Sequence, residues 1–351
     1  MPVPLSRRRL TRKNFLPPFL GLSALLLLLL PLTLSIGPEL ISPTEVLSTL
    51  LGGTNNILNT IIFDLRLPRI FLAVGVGGAL AATGAVFQAL LKNPLAEPYI
   101  LGISNGCVVG TIVGINLPIL AGMVGLSLSL GQVGITLLSF GGGALVTGIV
   151  LWIGRRGPGT GTDSLLLGGV MVAAIGAALI FLLLYFLPNV RGAIQWMLGD
   201  LSHVSSDIGY VSALFFLGLL SCSFFVGNSL NMIALGEEQA VSLGLNMRRA
   251  TTVAYLGASL VVGIATSFCG AIGFIGLVVP HMIRRIVGPD HRLLMPLSVI
   301  AGGIFLLLCD TAARSLLPAT GASGGELPVG AVTALVGAPL FIRLLTKERK
   351  G

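Results

Sequence analysis

Charge is scarce in this sequence of 351 residues. Only 10% of its residues are charged, 54% are hydrophobic, and the mean hydropathy is +0.98, whereas a soluble globular chain is about 25% charged. So few charged groups cannot cover a water-facing surface. Glycine is abundant instead, with 48 residues, which is typical of helices that pack closely inside a membrane. The composition therefore predicts an all-α protein that crosses the membrane several times.

Cysteine, histidine and lysine are also few, and each shortage excludes a chemistry. All four cysteines lie in apolar runs, so they indicate packing and not a disulfide framework. No lysine follows a glycine, so the sequence has no glycine-rich phosphate loop for ATP. None of the three histidines precedes a glutamate, which excludes the common zinc-protease motif. We therefore expect no catalytic residue, no metal and no cofactor bound by this chain.

The formal net charge of +8 raises the question of nucleic-acid binding. The basic residues form short clusters beside apolar runs, a pattern typical of the cytoplasmic ends of membrane helices. The sequence thus predicts contact with membrane lipid and none with nucleic acid.

Charge-free runs indicate how often the chain crosses, because a spanning helix needs about 20 apolar residues. They predict about ten spans, with breaks expected at Asn116 and Pro118. The first span could instead be the core of a signal peptide, but its length and the lack of a small-residue cleavage site favour a retained helix. The spans are expected between Lys13 and Glu39, at residues 70–91, 99–115, 132–153, 165–187 and 208–226, twice between Ala250 and Ile283, and at residues 293–309 and 329–345.

The distribution of lysine and arginine predicts the orientation. With ten spans and the amino terminus inside, only Arg66, Arg69, Arg191 and Arg314 of the 21 basic residues fall outside. This asymmetry follows the positive-inside rule and places both termini in the cytoplasm. The expected organisation is a basic N-terminus at residues 1–14, a ten-span domain at 15–346 with an inside loop at 228–249, and a cytoplasmic tail at 347–351.

The third span carries glycines at intervals of four residues. This spacing puts them on one stripe of a helix, where a second backbone can approach closely. We expect the stripe to serve helix packing, with a direct role in a pore as the less favoured alternative. Its members are Gly102, Gly106, Gly110 and Gly114.

The inside loop contains a short helical pattern that ends at a glycine. Glu238, Ala240 and Gly244 fit an E-x-A-x-x-x-G spacing, in which the small residue permits close approach to a partner and the glycine allows a sharp turn. On an inside loop of a chain without an ATP site, this pattern predicts a helix that docks into a separate ATPase subunit.

Several motifs together resemble the family of iron-chelate and cobalamin importer permeases. In the first half these are Arg-Leu-Pro-Arg at 66–69, Gly-Ala-Val-Phe-Gln at 84–88, Asn-Pro-Leu-Ala-Glu-Pro at 93–98 and Leu-Gly-Ile-Ser-Asn-Gly at 101–106. In the second half they are the loop pattern at 235–244, Gly-Phe-Ile-Gly-Leu-Val-Val-Pro-His at 273–281, Asp-His-Arg at 290–292, Glu-Leu-Pro-Val-Gly at 326–330 and Gly-Ala-Pro at 337–339. They recur in order from about residue 16 to residue 346.

The resemblance implies a type II ABC importer permease with ten transmembrane helices in the bacterial cytoplasmic membrane. It implies as partners a second permease subunit, identical or a sister chain, and two cytoplasmic subunits that bind ATP and Mg. An extracytoplasmic substrate-binding protein would deliver the cargo. The implied cargo is a metal chelate, and the breadth of the family favours a ferric siderophore over cobalamin or haem.

The resemblance also implies roles for individual residues. Relatives can have a small hydroxyl residue where Asp163 stands, which leaves its gating role open. Asp310 can pair with Arg314 on a helix, so snorkelling with a local ion pair is an alternative to docking for the arginines. The implied coupling residues are Gly236, Glu237, Glu238, Ala240, Leu243 and Gly244; the cytoplasmic gate is Asn93, Leu95, Thr162 and Asp163; and the residues that face the binding protein are Arg66, Arg69 and Arg314.

Two other classes of function fit the sequence less well. An ion-coupled secondary transporter needs ionisable groups near the middle of the membrane, and Asp310 is the one near candidate. A membrane-embedded enzyme needs paired acid–base or metal-binding groups, which the sequence lacks. We therefore expect a permease and not an enzyme.

Overall fold

The computed structural model describes residues 12–53, 55–123, 131–156, 161–188, 194, 196–202, 206–319 and 325–348. Across these ranges all regular secondary structure is helical. The predicted basic N-terminus and C-terminal tail lie largely outside the described residues, as does Arg191. The helices are α1 (Arg12–Ser35), α2 (Pro43–Leu50), α3 (Asn56–Asn59), a π-helical turn (Thr60–Arg66), α4 (Leu67–Leu90), α5 (Ile103–Gly122), α6 (Gln132–Arg156), α7 (Gly161–Phe186), α8 (Ser206–Leu235), α9 (Glu237–Ser242), α10 (Met247–Cys269), α11 (Ile275–Val287), α12 (His291–Ala319) and α13 (Val329–Glu348).

Each of the ten predicted spans corresponds to one of these helices. Among the described residues, eight helical stretches are long and apolar enough to cross a membrane, and Val329–Leu344 in α13 is a shorter apolar helix. The remaining predicted span is α11, whose 13 residues extend about 20 Å, less than the hydrocarbon core of about 30 Å. The all-α polytopic fold is therefore confirmed.

Several helices extend well beyond their predicted spans, among them α8, which continues to Leu235 past residue 226, and α12, which continues to Ala319 past residue 309. The second span was expected from Ile70, but one continuous helical stretch runs from Asn56 to Leu90. It begins early because the side chain of Asn55 accepts hydrogen bonds from Ile57 N and Leu58 N, which satisfies amides of the first turn. In the third span, Pro118 does not break the helix, and α5 continues to Gly122.

The turn predicted between Ala250 and Ile283 is present. Helix α10 ends at Cys269, the φ of Gly270 is +72°, and α11 begins at Ile275 after Phe274, whose φ is +71°. The glycine permits this reversal because it has no Cβ to collide with the backbone. The prediction of two helices here is confirmed.

Helix α4 lies at the centre of the bundle and contacts α8, α10, α11 and α12. It reaches α11 where Gly84 faces Gly276, and α12 where Gly77 faces Gly302. A Cβ on Gly84 would overlap the Gly276 carbonyl, and one on Gly77 the Gly302 carbonyl. Backbone contact of this kind explains why a membrane bundle uses so much glycine.

The glycine stripe of α5 packs against neighbouring helices. A Cβ on Gly106 or Gly110 would overlap a backbone carbonyl of α6, and one on Gly114 would lie 3.3 Å from Ile135 Cα. Gly102 caps the start of α5 with φ +79° and faces the backbone of Ala173 in α7. All four glycines therefore serve as contact points between α5 and the two helices that follow it.

Candidate functional site

The predicted coupling segment forms the short helix α9 between α8 and α10. Gly236 precedes it with φ +115°, and Gly244 follows it with φ +87°. Leu245 N donates to Ala240 O over 3.0 Å and Gly244 N donates to Val241 O over 2.9 Å. This pair of bonds is a Schellman motif, which needs a left-handed residue at the position of Gly244. The glycine thus determines where α9 ends.

Helix α9 packs against the bundle through one buried residue, and its other residues are exposed. Ala240 is fully buried against the bundle, while Glu237, Glu238 and Leu243 are exposed. Leu243 shows 56% of its surface. A short helix fixed through a small buried residue, with carboxylates and an apolar side chain turned outward, has the form of a docking element. The coupling role that the resemblance implied for these residues stays a prediction.

A polar cluster between the end of α8 and the start of α12 was not predicted from the sequence. The side chain of Asn231 in α8 donates to Asp290 Oδ1 over 2.7 Å and accepts from His291 N over 2.8 Å. Asp290 also pairs with Arg292 at 2.6 Å. These bonds tie the end of α8, one turn before α9, to the start of α12. Asn231 carries no motif signal, since its partners lie about 60 positions away along the chain.

The loop between α4 and α5 contains two of the predicted gate residues. Asn93 Oδ1 accepts from Leu95 N over 2.9 Å, an Asx turn that leaves Leu95 45% exposed. Leu95 lines a cavity of about 220 Å³ together with Leu166 and Val170 of α7. The other two gate positions, Thr162 and Asp163, lie in the first turn of α7, and their side chains are outside the described part of the structure. The gating role of all four residues stays a prediction.

Glu97 in the same loop connects it to α11. Its carboxylate accepts a hydrogen bond from the backbone N–H of Phe274, the residue that precedes α11. Glu97 is 7% exposed, and this burial raises the pKa of its carboxyl to about 7, while the bond from Phe274 opposes the shift. Glu97 belongs to the motif at residues 93–98, and the sequence predicts no separate role for its carboxylate.

Glu97→Gln is expected to flatten the pH dependence of stability. Because the pKa of Glu97 is raised in the folded protein, its stabilising contribution is full below the unfolded value of about 4.5 and is lost as pH rises through about 7. Glutamine keeps a carbonyl acceptor for Phe274 N–H but does not titrate. Thermal unfolding between pH 5 and 8 is the measurement, with exposed Glu237→Gln as the control. A variant that lost stability with rising pH as steeply as the wild type would contradict this assignment.

The three predicted docking arginines are held inside the chain. Arg69 donates to Asp310 Oδ1 from Nη2 over 2.8 Å and to Asp310 Oδ2 from Nε over 3.2 Å, and its Nη1 lies 2.6 Å from Glu326 Oε2. Asp310 is fully buried. A two-pronged contact between guanidinium and carboxylate is among the strongest polar interactions in proteins. Arg69 therefore joins α4 to α12 and to the segment before α13.

Arg66 and Arg314 are bound to backbone carbonyls of the chain near the end of α1. Arg66 donates to Leu34 O over 2.5 Å and to Glu39 O over 2.6 Å, and Arg314 donates to Thr33 O over 2.7 Å. Arg66 is 7% exposed and Arg314 is 2% exposed. The predicted pair of Asp310 and Arg314 is present at 3.8 Å, although Arg69 is the closer partner of Asp310.

The three arginines for which the resemblance implied a docking role are already paired within the chain. Arg66, Arg69 and Arg314 do meet, around a cavity of about 400 Å³ that Asp64 and Glu326 also line. Their guanidinium groups, however, are occupied by carboxylates and carbonyls of the same chain, because an unpaired charge in a membrane bundle is costly. Changing all three to glutamate would set carboxylates beside Asp310 and would destabilise the bundle. Docking of a binding protein at this cavity stays a prediction.

Metal-binding residues do not gather in the described part of the chain. Within it, no group of three or more histidine, cysteine, aspartate or glutamate side chains could hold a metal ion. All four cysteines are free, and only Cys222 is exposed.

The bundle of apolar helices, the short helix α9 and the loop at residues 91–102 define a polytopic membrane permease. The chain belongs to the FecCD transport family, whose family model matches residues 25–347. This membership confirms the resemblance drawn from the motifs.

Individual relatives agree with the family. The chain is 38% identical over 295 residues to the cobalamin import system permease protein BtuC of Halobacterium salinarum, covering 84% of this chain and 75% of that protein. It is 37% identical over 339 residues to the vitamin B12 import system permease protein BtuC of Salmonella typhi, covering 94% and 95%. A solved structure described as a metal-chelate type ABC transporter in an inward-facing conformation superposes with a TM-score of 0.78 at 28% identity, covering 94% of this chain and 98% of the other.

Proposed function

We propose that this chain is the membrane subunit of an ATP-driven importer and passes a metal chelate into the cytoplasm. The observation that carries the proposal is α9, a short helix with a free face that carries Glu237, Glu238 and Leu243. A permease without a phosphate loop needs such an element to receive movement from a separate ATPase. The α9 helix is connected directly to α8 and α10, so a force on it would be transmitted to two membrane helices.

The partners in this proposal follow from the same division of labour. Two ATPase subunits would bind α9 from each of two permease chains, and a substrate-binding protein would deliver the cargo at the other membrane face. The cavity around Arg69 and Glu326 lies at the opposite end of α4 from the loop at residues 91–102. In the orientation that the basic residues predict, a delivered chelate would enter at this cavity.

Cobalamin is the first cargo candidate, because two of the similar permeases are named for import of cobalamin or vitamin B12. A ferric siderophore, favoured by the breadth of the family, is the second. Both are bulky metal chelates, and the cavity of about 220 Å³ beside the gate loop, which Asn93 and Glu97 line together with leucines, is smaller than the roughly 300–1,000 Å³ of pockets for drug-sized ligands. The order of the two candidates therefore rests on the relatives and not on this cavity.

Uptake into proteoliposomes tests both parts of the proposal. The chain is reconstituted with the ATPase and the binding protein that co-purify with it, and labelled cobalamin and a labelled ferric siderophore are supplied in parallel. We expect accumulation of one chelate that depends on ATP and on the ATPase subunit. Equal uptake without ATP, driven by a proton or sodium gradient, would overturn the ABC assignment, and uptake of the siderophore alone would replace the first cargo candidate.

A further inference from the structure

An open apolar groove runs along the outside of the bundle, away from the sites described above. Helices α8 and α10 both pack on α4 but barely contact each other, so a groove of about 490 Å³ is left between them. Its floor is formed by Ala82 and Val86 of α4, which are buried. Phe225, 82% exposed, and Val253, 62% exposed, line its rim.

The groove offers few hydrogen-bonding partners to an occupant. The hydroxyl of Thr83 donates to Ala79 O over 2.9 Å, and that of Ser223 donates to Leu220 O over 2.6 Å. Two of the three hydroxyl side chains in the wall are thus satisfied within their own helices, and the third, Ser229, is exposed. A polar solute would gain little here, whereas an acyl chain would fill the groove and make van der Waals contacts with the apolar side chains of its wall.

The length of the groove matches one leaflet of a bilayer. It extends from Leu219 to Ile233 along α8 and from Ala250 to Val261 along the antiparallel α10, which corresponds to about 17–21 Å of helix. Half of a hydrocarbon core is about 15 Å. The groove ends where α8 leads into α9, at the face that is predicted to be cytoplasmic.

Cationic side chains stand at that same end. Arg248 and Arg249 are exposed in the first turn of α10. Arg249 lies one turn before Val253, so it is on the stripe of α10 that lines the groove. The groove is therefore apolar along its length and cationic at its predicted cytoplasmic end. This arrangement matches the acyl chain and the headgroup of an anionic phospholipid in the cytoplasmic leaflet.

We propose that this groove binds one anionic phospholipid of the cytoplasmic leaflet. An acyl chain lies between α8 and α10 on α4, and the headgroup phosphate pairs with Arg249. Because the lipid would contact both helices that flank α9, it would stabilise their separation at the point where the short helix leaves the bundle.

Fluorescence quenching by brominated lipids tests the proposal on the reconstituted transporter. Trp152 and Trp196 are replaced by phenylalanine, and Phe225→Trp provides one reporter at the rim. Quenching is compared between brominated phosphatidylglycerol and brominated phosphatidylcholine. We expect the anionic lipid to bind about 5-fold more strongly, because one arginine near the headgroups contributes an effect of that size.

Two matched pairs of variants separate the headgroup from the acyl chain. Arg249→Gln should reduce the preference to about 1-fold, while Arg343→Gln, an exposed arginine of α13, should leave it unchanged. Gly257→Leu should also abolish the preference, because a Cβ at this groove residue meets no atom within 4 Å and a leucine would fill the space. Gly218→Leu, equally free of neighbours within 4 Å but outside the groove, is its control.

Three results would overturn the proposal. One is equal binding of the two lipids in the parent protein, and another is an unchanged preference in both Arg249→Gln and Gly257→Leu. The third is a tryptophan reporter in Phe225→Trp that no brominated lipid quenches, which would show that a protein surface, from a second copy of the chain or from another subunit, covers the groove.

Discussion

Replacing Gly244 by valine is expected to lower ATP-driven transport at least tenfold while the chain still inserts into the membrane. Gly244 has φ +87° and closes the Schellman motif at the end of α9. A side chain in this conformation costs about 1–2 kcal/mol, and a β-branched one is especially unfavourable. A Cβ here meets no atom within 4 Å, so the effect comes from the backbone alone. The measurement is chelate uptake per ATP hydrolysed.

Gly52→Val is the matched control for this prediction. Gly52 has φ +98° and an equally open environment, but it follows α2 and is remote from α9. The same backbone penalty applies there, so a loss of transport through general instability would affect both variants equally. A selective loss in Gly244→Val supports the coupling role. Normal uptake per ATP in that variant would mean that the geometry of α9 does not matter for coupling.

A charge reversal on the free face of α9 tests the contact with the ATPase itself. Glu238 is exposed, so Glu238→Lys is expected to weaken docking without changing the stability of the bundle. We expect reduced co-purification of the ATPase and a similar fall in transport. If the ATPase remained bound and uptake were normal, another part of the chain would have to receive the force.

Asp310→Leu is expected to destabilise the protein by about 3–5 kcal/mol, because it deprives Arg69 and the buried Arg314 of the fully buried carboxylate that they share. Asp310 is fully buried, pairs with Arg69 at 2.8 Å and lies 3.8 Å from Arg314. Glu326→Gln should cost far less, since Glu326 is 29% exposed and Arg69 would retain Asp310. Thermal unfolding of the purified protein in detergent measures the difference.

The double variant Arg69→Leu/Asp310→Leu distinguishes a charge effect from a packing effect. If the penalty of Asp310→Leu comes from an uncompensated guanidinium, removing both partners should restore part of the lost stability. Additive losses in the double variant would show instead that Asp310 matters for its shape. Either result also bears on docking, because a variant that retains stability without Arg69 can be tested for binding-protein affinity.

Because the arginines at this cavity are already paired within the chain, docking of a binding protein would have to displace one of their partners. The guanidinium of Arg69 holds Glu326, the acidic residue just before α13, at 2.6 Å. An acidic group of a binding protein could compete with Glu326 for Arg69, and docking would then loosen the contact between α4 and the start of α13. Such an exchange would need no unpaired arginine at the surface.

Local patterns in the sequence determined the helices and the short segment α9. A transmembrane helix needs an uninterrupted apolar run, because its backbone groups must be satisfied internally, and that requirement is visible in about 20 consecutive residues. The end of α9 was also predictable from a local pattern, because a glycine such as Gly244 commonly adopts the left-handed conformation that ends a helix. The early start of the second span was missed because its polar Asp64 and Arg66 lie within a helix that Asn55 caps.

Partnerships between distant residues were decided by the tertiary structure alone. Arg69 and Asp310 are 241 positions apart, and the sequence offered Arg314 as the nearer partner of Asp310. Packing of α4 against α12 put Arg69 closer. The arginines that the distribution of basic residues assigned to the outside therefore pair with groups of the same chain. The pKa of Glu97 and the groove between α8 and α10 have the same origin. Burial and the spacing of helices depend on the whole bundle, whereas charge counts and apolar runs depend only on the order of residues.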